Sequence, residues 1–162
     1  MTEKEAKRID LLEKYNITER DFNAHKDELR KKFGGDVSDR DVVWSVWNER
    51  ILNNIHDNPS IKDLAALEQT YYDMAMFLIG EGKDCFDLLQ QRSKMRLMRL
   101  KHYGNKVRIS CSKSSCESCR QLVDKIFTVE EAIDSMPIPF KGCTNTYCAC
   151  TYLPEPYLTF EL

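Results

Sequence analysis

Six of the seven cysteines in this 162-residue chain fall between Cys111 and Cys150, in two close groups. The first reads Cys111-x4-Cys116-x2-Cys119 and the second Cys143-x4-Cys148-x1-Cys150. Thiolates at short spacing, repeated after a longer interval, form the ligand pattern of a closed tetrahedral zinc site. A chain with this pattern has to bring two distant loops to one point. We predict that Cys116, Cys119, Cys143 and Cys148 bind a structural Zn2+. Cys150 is an alternative ligand in place of Cys148 or Cys143, and Cys111 is a further alternative. A disulfide arrangement and an iron–sulfur cluster are the competing readings. Cys85 stands apart from the cluster and reads as a buried thiol, because no activating base accompanies it.

The rest of the composition narrows the class. Hydrophobic residues make up 42% and charged residues 31% of the chain, values of an ordinary globular protein. A formal net charge of -2 supplies no global field for nucleic acid. The start, MTEKEAKRIDLLEKY, lacks the apolar run and small-residue cleavage site of a signal peptide. No segment approaches the roughly eighteen apolar residues of a membrane span. Cytoplasmic residence without membrane insertion is the expectation, and in that compartment clustered thiols more often hold metal than form disulfides.

The fold class expected is mainly α, a helical bundle or array over 1–104 followed by a small mixed α/β cysteine-rich module over 105–162. Gly34-Gly35 is a candidate junction that would set off a small helical hairpin over 1–35. The first helix carries Ile9, Leu11 and Leu12 and breaks at Asn16-Ile17. Thr18, three residues before Asp21, caps a helix over about 19–33, with Phe22, Leu29 and Phe33 as its apolar stripe. His25, beside Lys26 and Asp27, is expected to be exposed. Ser38 and Asp41 open a third helix, with Val43, Trp47, Ile51 and Ile55 at four-residue intervals and Pro59 beyond its end. Ser60 and Asp63 open a fourth, rich in apolar residues from Leu64 to Ile79 and closed by Gly80 and Gly82. A fifth is expected over 83–102, burying Phe86, Leu89, Leu97 and Leu100.

That last helix leads into a run of positive charge. Arg92, Lys94, Arg96, Arg99, Lys101, Lys106 and Arg108 are basic, and no Asp or Glu occurs between Arg92 and Arg108. A solvated helix face is the simplest account. A nucleic-acid surface contacting phosphates is the alternative, and a protein partner or acidic groups elsewhere in the chain complete the choices. No phosphate-binding loop, recognition-helix spacing or aromatic–basic RNA motif accompanies the run.

Beyond Gly104 the pattern changes to short strands. Val107 and Ile109 flank Arg108 in one, Leu122 to Phe127 holds a second, and Tyr152-Leu153 a third. Thr128 and Glu131 form a capping box for a short helix stopped by Pro137 and Pro139. The segments Cys116-Glu117-Ser118-Cys119, Leu122-Val123-Asp124-Lys125-Ile126-Phe127 and Cys148-Ala149-Cys150 resemble the C-terminal cysteine motif of the phage Mu F and SPP1 gp7-like head-morphogenesis family. The resemblance covers about Val107 to Pro154. That family often ends in HPxCRC, whereas this chain reads Phe140-Lys141-Gly142-Cys143, four residues, then Cys148-Ala149-Cys150. The resemblance implies a shared metal-bound scaffold and, further off, a role in phage or prophage assembly.

No catalytic constellation stands out. His25, His56 and His102 are far apart in sequence and make no His-Glu-x-x-His pair. Glu130-Glu131 is explained by helix initiation. The leading expectation is a non-enzymatic structural or protein-interaction module with a closed zinc site, to which Trp44, Tyr71, Tyr72 and the Tyr147–Tyr152 region contribute either core packing or partner contacts. A nucleic-acid-binding protein and a zinc-dependent enzyme with an open coordination position are the alternatives. The oligomeric state is not legible.

Overall fold

A computed structural model describes residues 2–155. Seven helices and three short strands occur among them. The fold is mainly helical, with a small sheet beside the cysteine cluster, as the sequence predicts. The chain divides into two compact units, Met1–Asn53 and Asn54–Leu162.

The first unit holds α1 (Glu3–Lys14), α2 (Glu19–Phe33) and nearly all of α3 (Asp39–Asn54). Each start is set by a hydroxyl. Thr2 forms a capping box with Glu5, Thr18 accepts the Asp21 N–H, and Ser38 accepts the Asp41 N–H. Asn16, at φ 49°, makes the left-handed break after α1, and Gly34, at φ 70°, ends α2. The core gathers Leu12, Tyr15, Ile17, Phe22, Val42, Val43, Val46 and Trp47. Tyr15 meets Trp47 edge-on at 5.1 Å.

Two expectations in this unit fail. Phe33 is 70% exposed, whereas His25 is only 8% exposed. Phe33 is the last residue of α2, whereas His25 lies within the helix and faces α3, where Ser45 and Glu49 each lie 3.0 Å from a ring nitrogen. Polar partners make a histidine acceptable in a buried position. Ile55 falls beyond the last turn of α3 and is likewise exposed.

The second unit begins with α4 (Ile61–Gly80), capped by the Ser60–Asp63 box, and α5 (Phe86–Leu100). The start of α5 is three residues later than its apolar pattern suggests, because Asp84 accepts the Phe86 N–H and fixes the turn. The two helices pack along their length. After α5 come β1 (Lys106–Ser110), the one-turn helix α6 (Glu117–Arg120), β2 (Ile126–Thr128), α7 (Val129–Ser135) and β3 (Thr151–Pro154). The strands are antiparallel in the order β2-β1-β3. The Thr128–Glu131 capping box starts α7 as expected.

The division differs from the boundary expected at 104/105. Leu97 and Leu100 of α5 lie in the same core as Val107, Ile109, Val129, Ala132, Ile138 and Tyr152. Arg96 of α5 also donates from Nε to the Tyr152 carbonyl at 2.6 Å. Sequence periodicity places α5 with the helices, but its buried face belongs equally to the sheet.

Candidate metal centre

Three local structures deliver the cysteines. Cys116 precedes α6 and Cys119 lies within it, so one tight turn presents both sulfurs. A second turn, closed by the Cys143 N–H to the Phe140 carbonyl at 3.1 Å, presents Cys143. Gly142 belongs in that turn, since a Cβ there would come within 2.7 Å of the Phe140 ring. The third is the end of the β1–β3 ladder. Ser110 pairs with Thr151, which places Cys111 opposite Cys150 one step further on. Cys148 and Cys150 are both buried with exposed Ala149 between them, the alternation of an extended chain.

The sulfurs converge. Cys116 Sγ lies 3.9 Å from Cys143 Sγ, and Cys119 Sγ lies 3.8 Å from Cys148 Sγ. The Cys116, Cys119 and Cys143 sulfurs all lie within 4.8 Å of one another, as do those of Cys119, Cys148 and Cys150. A tetrahedron with Zn–S bonds of about 2.3 Å has sulfur–sulfur edges of about 3.8 Å. Each of the two contact distances therefore matches one sulfur–sulfur edge of a zinc tetrathiolate. The structure groups Cys116, Cys119 and Cys143 and sets Cys148 against Cys119, in the second group with Cys150. These groups can hold a metal ion.

The two alternative ligands have a different arrangement. Cys111 and Cys150 are joined to each other by a disulfide. Strand register puts them face to face, a relation that spacing along the sequence does not reveal. In this state neither sulfur is a thiolate, so neither substitutes for Cys143 or Cys148.

Electrostatics separates Cys116, Cys119 and Cys143. The backbone N–H groups of Thr144 and Cys119, directed at Cys116, hold its thiol down to about 6. Burial pushes Cys119 well above the ordinary thiol range, and its contacts with Cys116, Cys143 and Cys148 push the same way. Burial also raises Cys143, against the N–H of Asn145. A cluster of buried thiols resists ionisation because the charges repel and water is absent. A bound cation reverses that balance and deprotonates coordinating thiols. N–H groups aimed at sulfur are the outer-shell contacts that steady metal thiolates.

Cys85 is buried and its thiol is raised, first by burial and then by Asp84. It packs with Ala75 and Leu89, which agrees with a core thiol. The basic run is less free than its sequence suggests. Glu68 of α4 accepts from Arg96 at 2.7 Å and from Arg99 at 2.7 Å and 3.0 Å. Arg92 stacks over Tyr72 at 4.6 Å, Lys101 pairs with Glu130 at 2.8 Å, and Arg108 lies 4.0 Å from Glu155. Lys94 and Lys106 are exposed. The sequence signal for the partners was Glu68, an acid inside the most apolar helix. Tyr152 is fully buried, and Tyr147 packs against the cluster of Ala75, Cys85 and Leu89.

No helix among the described residues is long and apolar enough to cross a membrane. No protein-family model matches the sequence, and neither a curated protein nor a solved structure matches it.

Proposed function

We propose that residues 54–155 form a non-enzymatic structural module held by one Zn2+ on Cys116, Cys119, Cys143 and Cys148, serving as a scaffold for protein interaction. The observation that carries this reading is the pair of sulfur–sulfur contacts, 3.9 Å and 3.8 Å, at the edge length of a zinc tetrathiolate. Four thiolates complete the tetrahedron and leave no position for water or substrate, which favours a scaffold over a zinc enzyme. The small sheet has short strands and a modest core, and a metal crosslink between its loops compensates for both. The likeness to the head-morphogenesis cysteine motif bears on this scaffold rather than on a biological setting.

The test is removal of the metal from the purified full-length chain with a high-affinity chelator, followed by amide exchange. Release of zinc with loss of protection in β1, β3 and α7 is the expected result. A metal-free chain with unchanged protection there overturns the reading.

A further inference from the structure

The six clustered cysteines sort into three pairs. Cys116 and Cys143 stand at one side, Cys119 and Cys148 in the middle, and Cys111 with Cys150 at the other. Cys119 of the middle pair reaches both sides, and Cys148 reaches the Cys150 side. Cys119 belongs to the group with Cys116 and Cys143 and equally to the group with Cys148 and Cys150. Cys111 Sγ also lies 3.4 Å from the Cys119 carbonyl oxygen, so the outer pair abuts the same turn. Resting on the single-zinc site proposed above, we propose that the Cys111–Cys150 disulfide covers a second zinc site. Reduction of the disulfide converts the centre to a two-zinc, six-thiolate cluster in which Cys119 and Cys148 bridge the ions.

Coordination chemistry leads to this assignment. Two tetrahedral ions require eight sulfur positions, and six sulfurs provide them only when two are shared. Shared sulfurs have to lie between the ions; Cys119 belongs to both groups, and Cys148, 3.8 Å from it, supplies the second bridge in this assignment. Each ion then has two terminal ligands, Cys116 and Cys143 for one and Cys111 and Cys150 for the other. The second Zn2+ brings in two further thiolates, so the formal charge buried in the cluster does not change. The β1–β3 register holds Cys111 opposite Cys150 whether or not they are bonded, and this preorganises the terminal pair.

The redox step balances. A small dithiol reductant attacks the Cys111–Cys150 bond through a mixed disulfide, becomes a cyclic disulfide itself, and leaves two thiols on the protein. Those thiols, with Cys119 and Cys148 already present as thiolates on the first ion, accept Zn2+ and release their two protons to solvent. Oxidation by a small disulfide runs the exchange in reverse and releases one zinc ion.

The experiment measures zinc per chain in the full-length protein, with protein concentration from amino-acid analysis. One sample has the Cys111–Cys150 bond verified by peptide mass mapping. The other is reduced anaerobically with a dithiol, incubated with zinc and desalted. The expected ratio is one in the first sample and two in the second. Replacement by cadmium-113 should give one resonance before reduction and two mutually coupled resonances after it. The reduced Cys111→Ser chain should hold one ion. A ratio of one in both wild-type samples overturns the second site while leaving the first reading intact. A ratio of two in reduced Cys111→Ser, or two uncoupled cadmium resonances, also overturns the bridged cluster. No zinc in the disulfide form counts against the single-site reading instead.

Discussion

Cys119 Sγ and Cys148 Sγ lie 3.8 Å apart although 29 residues separate them in the chain, and both residues are buried. Two buried thiols in contact gain little from each other, because a sulfhydryl is a weak donor and a weak acceptor. A cation between them changes the energetics, since each thiolate then has a charge to face. Cys119→Ser and Cys148→Ser should therefore each lower bound zinc well below one per chain and expose the cluster loops to trypsin. Cys85→Ser, which alters a thiol outside the cluster, should leave both unchanged. Metal analysis and limited proteolysis of the three variants check this. Structural zinc contributes ~10–16 kcal/mol of apparent folding free energy in small peptides, so loss of the ion should unfold the loops rather than merely loosen them.

The Glu68 carboxylate faces both Arg96 and Arg99 from a largely buried position. Glu68→Gln keeps the shape but leaves two partly buried cations without an anion. With allowance for the partial exposure of both guanidinium groups, the expected cost is about 2–3 kcal/mol. Urea unfolding of the variant, in a double-mutant cycle with Arg99→Gln, should show a coupling energy well above the range of surface pairs.

Leu97 is fully buried in the core shared by α5, the sheet and α7. Leu97→Ala should cost about 3 kcal/mol. If α5 belongs with the sheet, amide exchange in β1 and α7 should accelerate along with α5 itself. Acceleration confined to α4 and α5 would place the boundary back near residue 104.

The capping boxes give a pH dependence of definite sign. Hydrogen bonds from Thr128 hold Glu131 below its ordinary value of 4.5, and hydrogen bonds from Ser60 hold Asp63 below 3.8. A lowered folded-state pKa adds stability that is present above the unfolded value and lost as pH falls through the folded one. The starts of α7 and α4 should thus fray below these values. Thr128→Ala should cost about 1 kcal/mol. Glu131→Gln should remove the capping-box part of the acid dependence at α7, leaving the part due to Glu130, which Lys101 holds below its ordinary value. Titration of the Thr128 and Ser60 amide resonances reads both effects.

Local signals in the sequence carried far into the structure. The hydroxyls of Thr18, Ser38, Ser60 and Thr128 each mark a helix start, because a cap is a contact within three residues. The close cysteine spacings likewise identified thiols that cluster, Cys116 and Cys143 with Cys119, and Cys148 against Cys119. What the sequence hid depends on distant partners. His25 is buried because Ser45 and Glu49 meet it, and the basic run is largely paired because α4 brings Glu68 alongside. The Cys111–Cys150 disulfide follows from strand register. The end of the module expected over 105–162, from residue 156 on, lies outside the described residues.

Zinc K-edge X-ray absorption of the purified, disulfide-intact chain tests the central claim most directly. The account predicts one zinc per chain with a first shell of four sulfurs at about 2.3 Å. Nitrogen or oxygen in that shell, or a folded chain that retains no zinc, would contradict it.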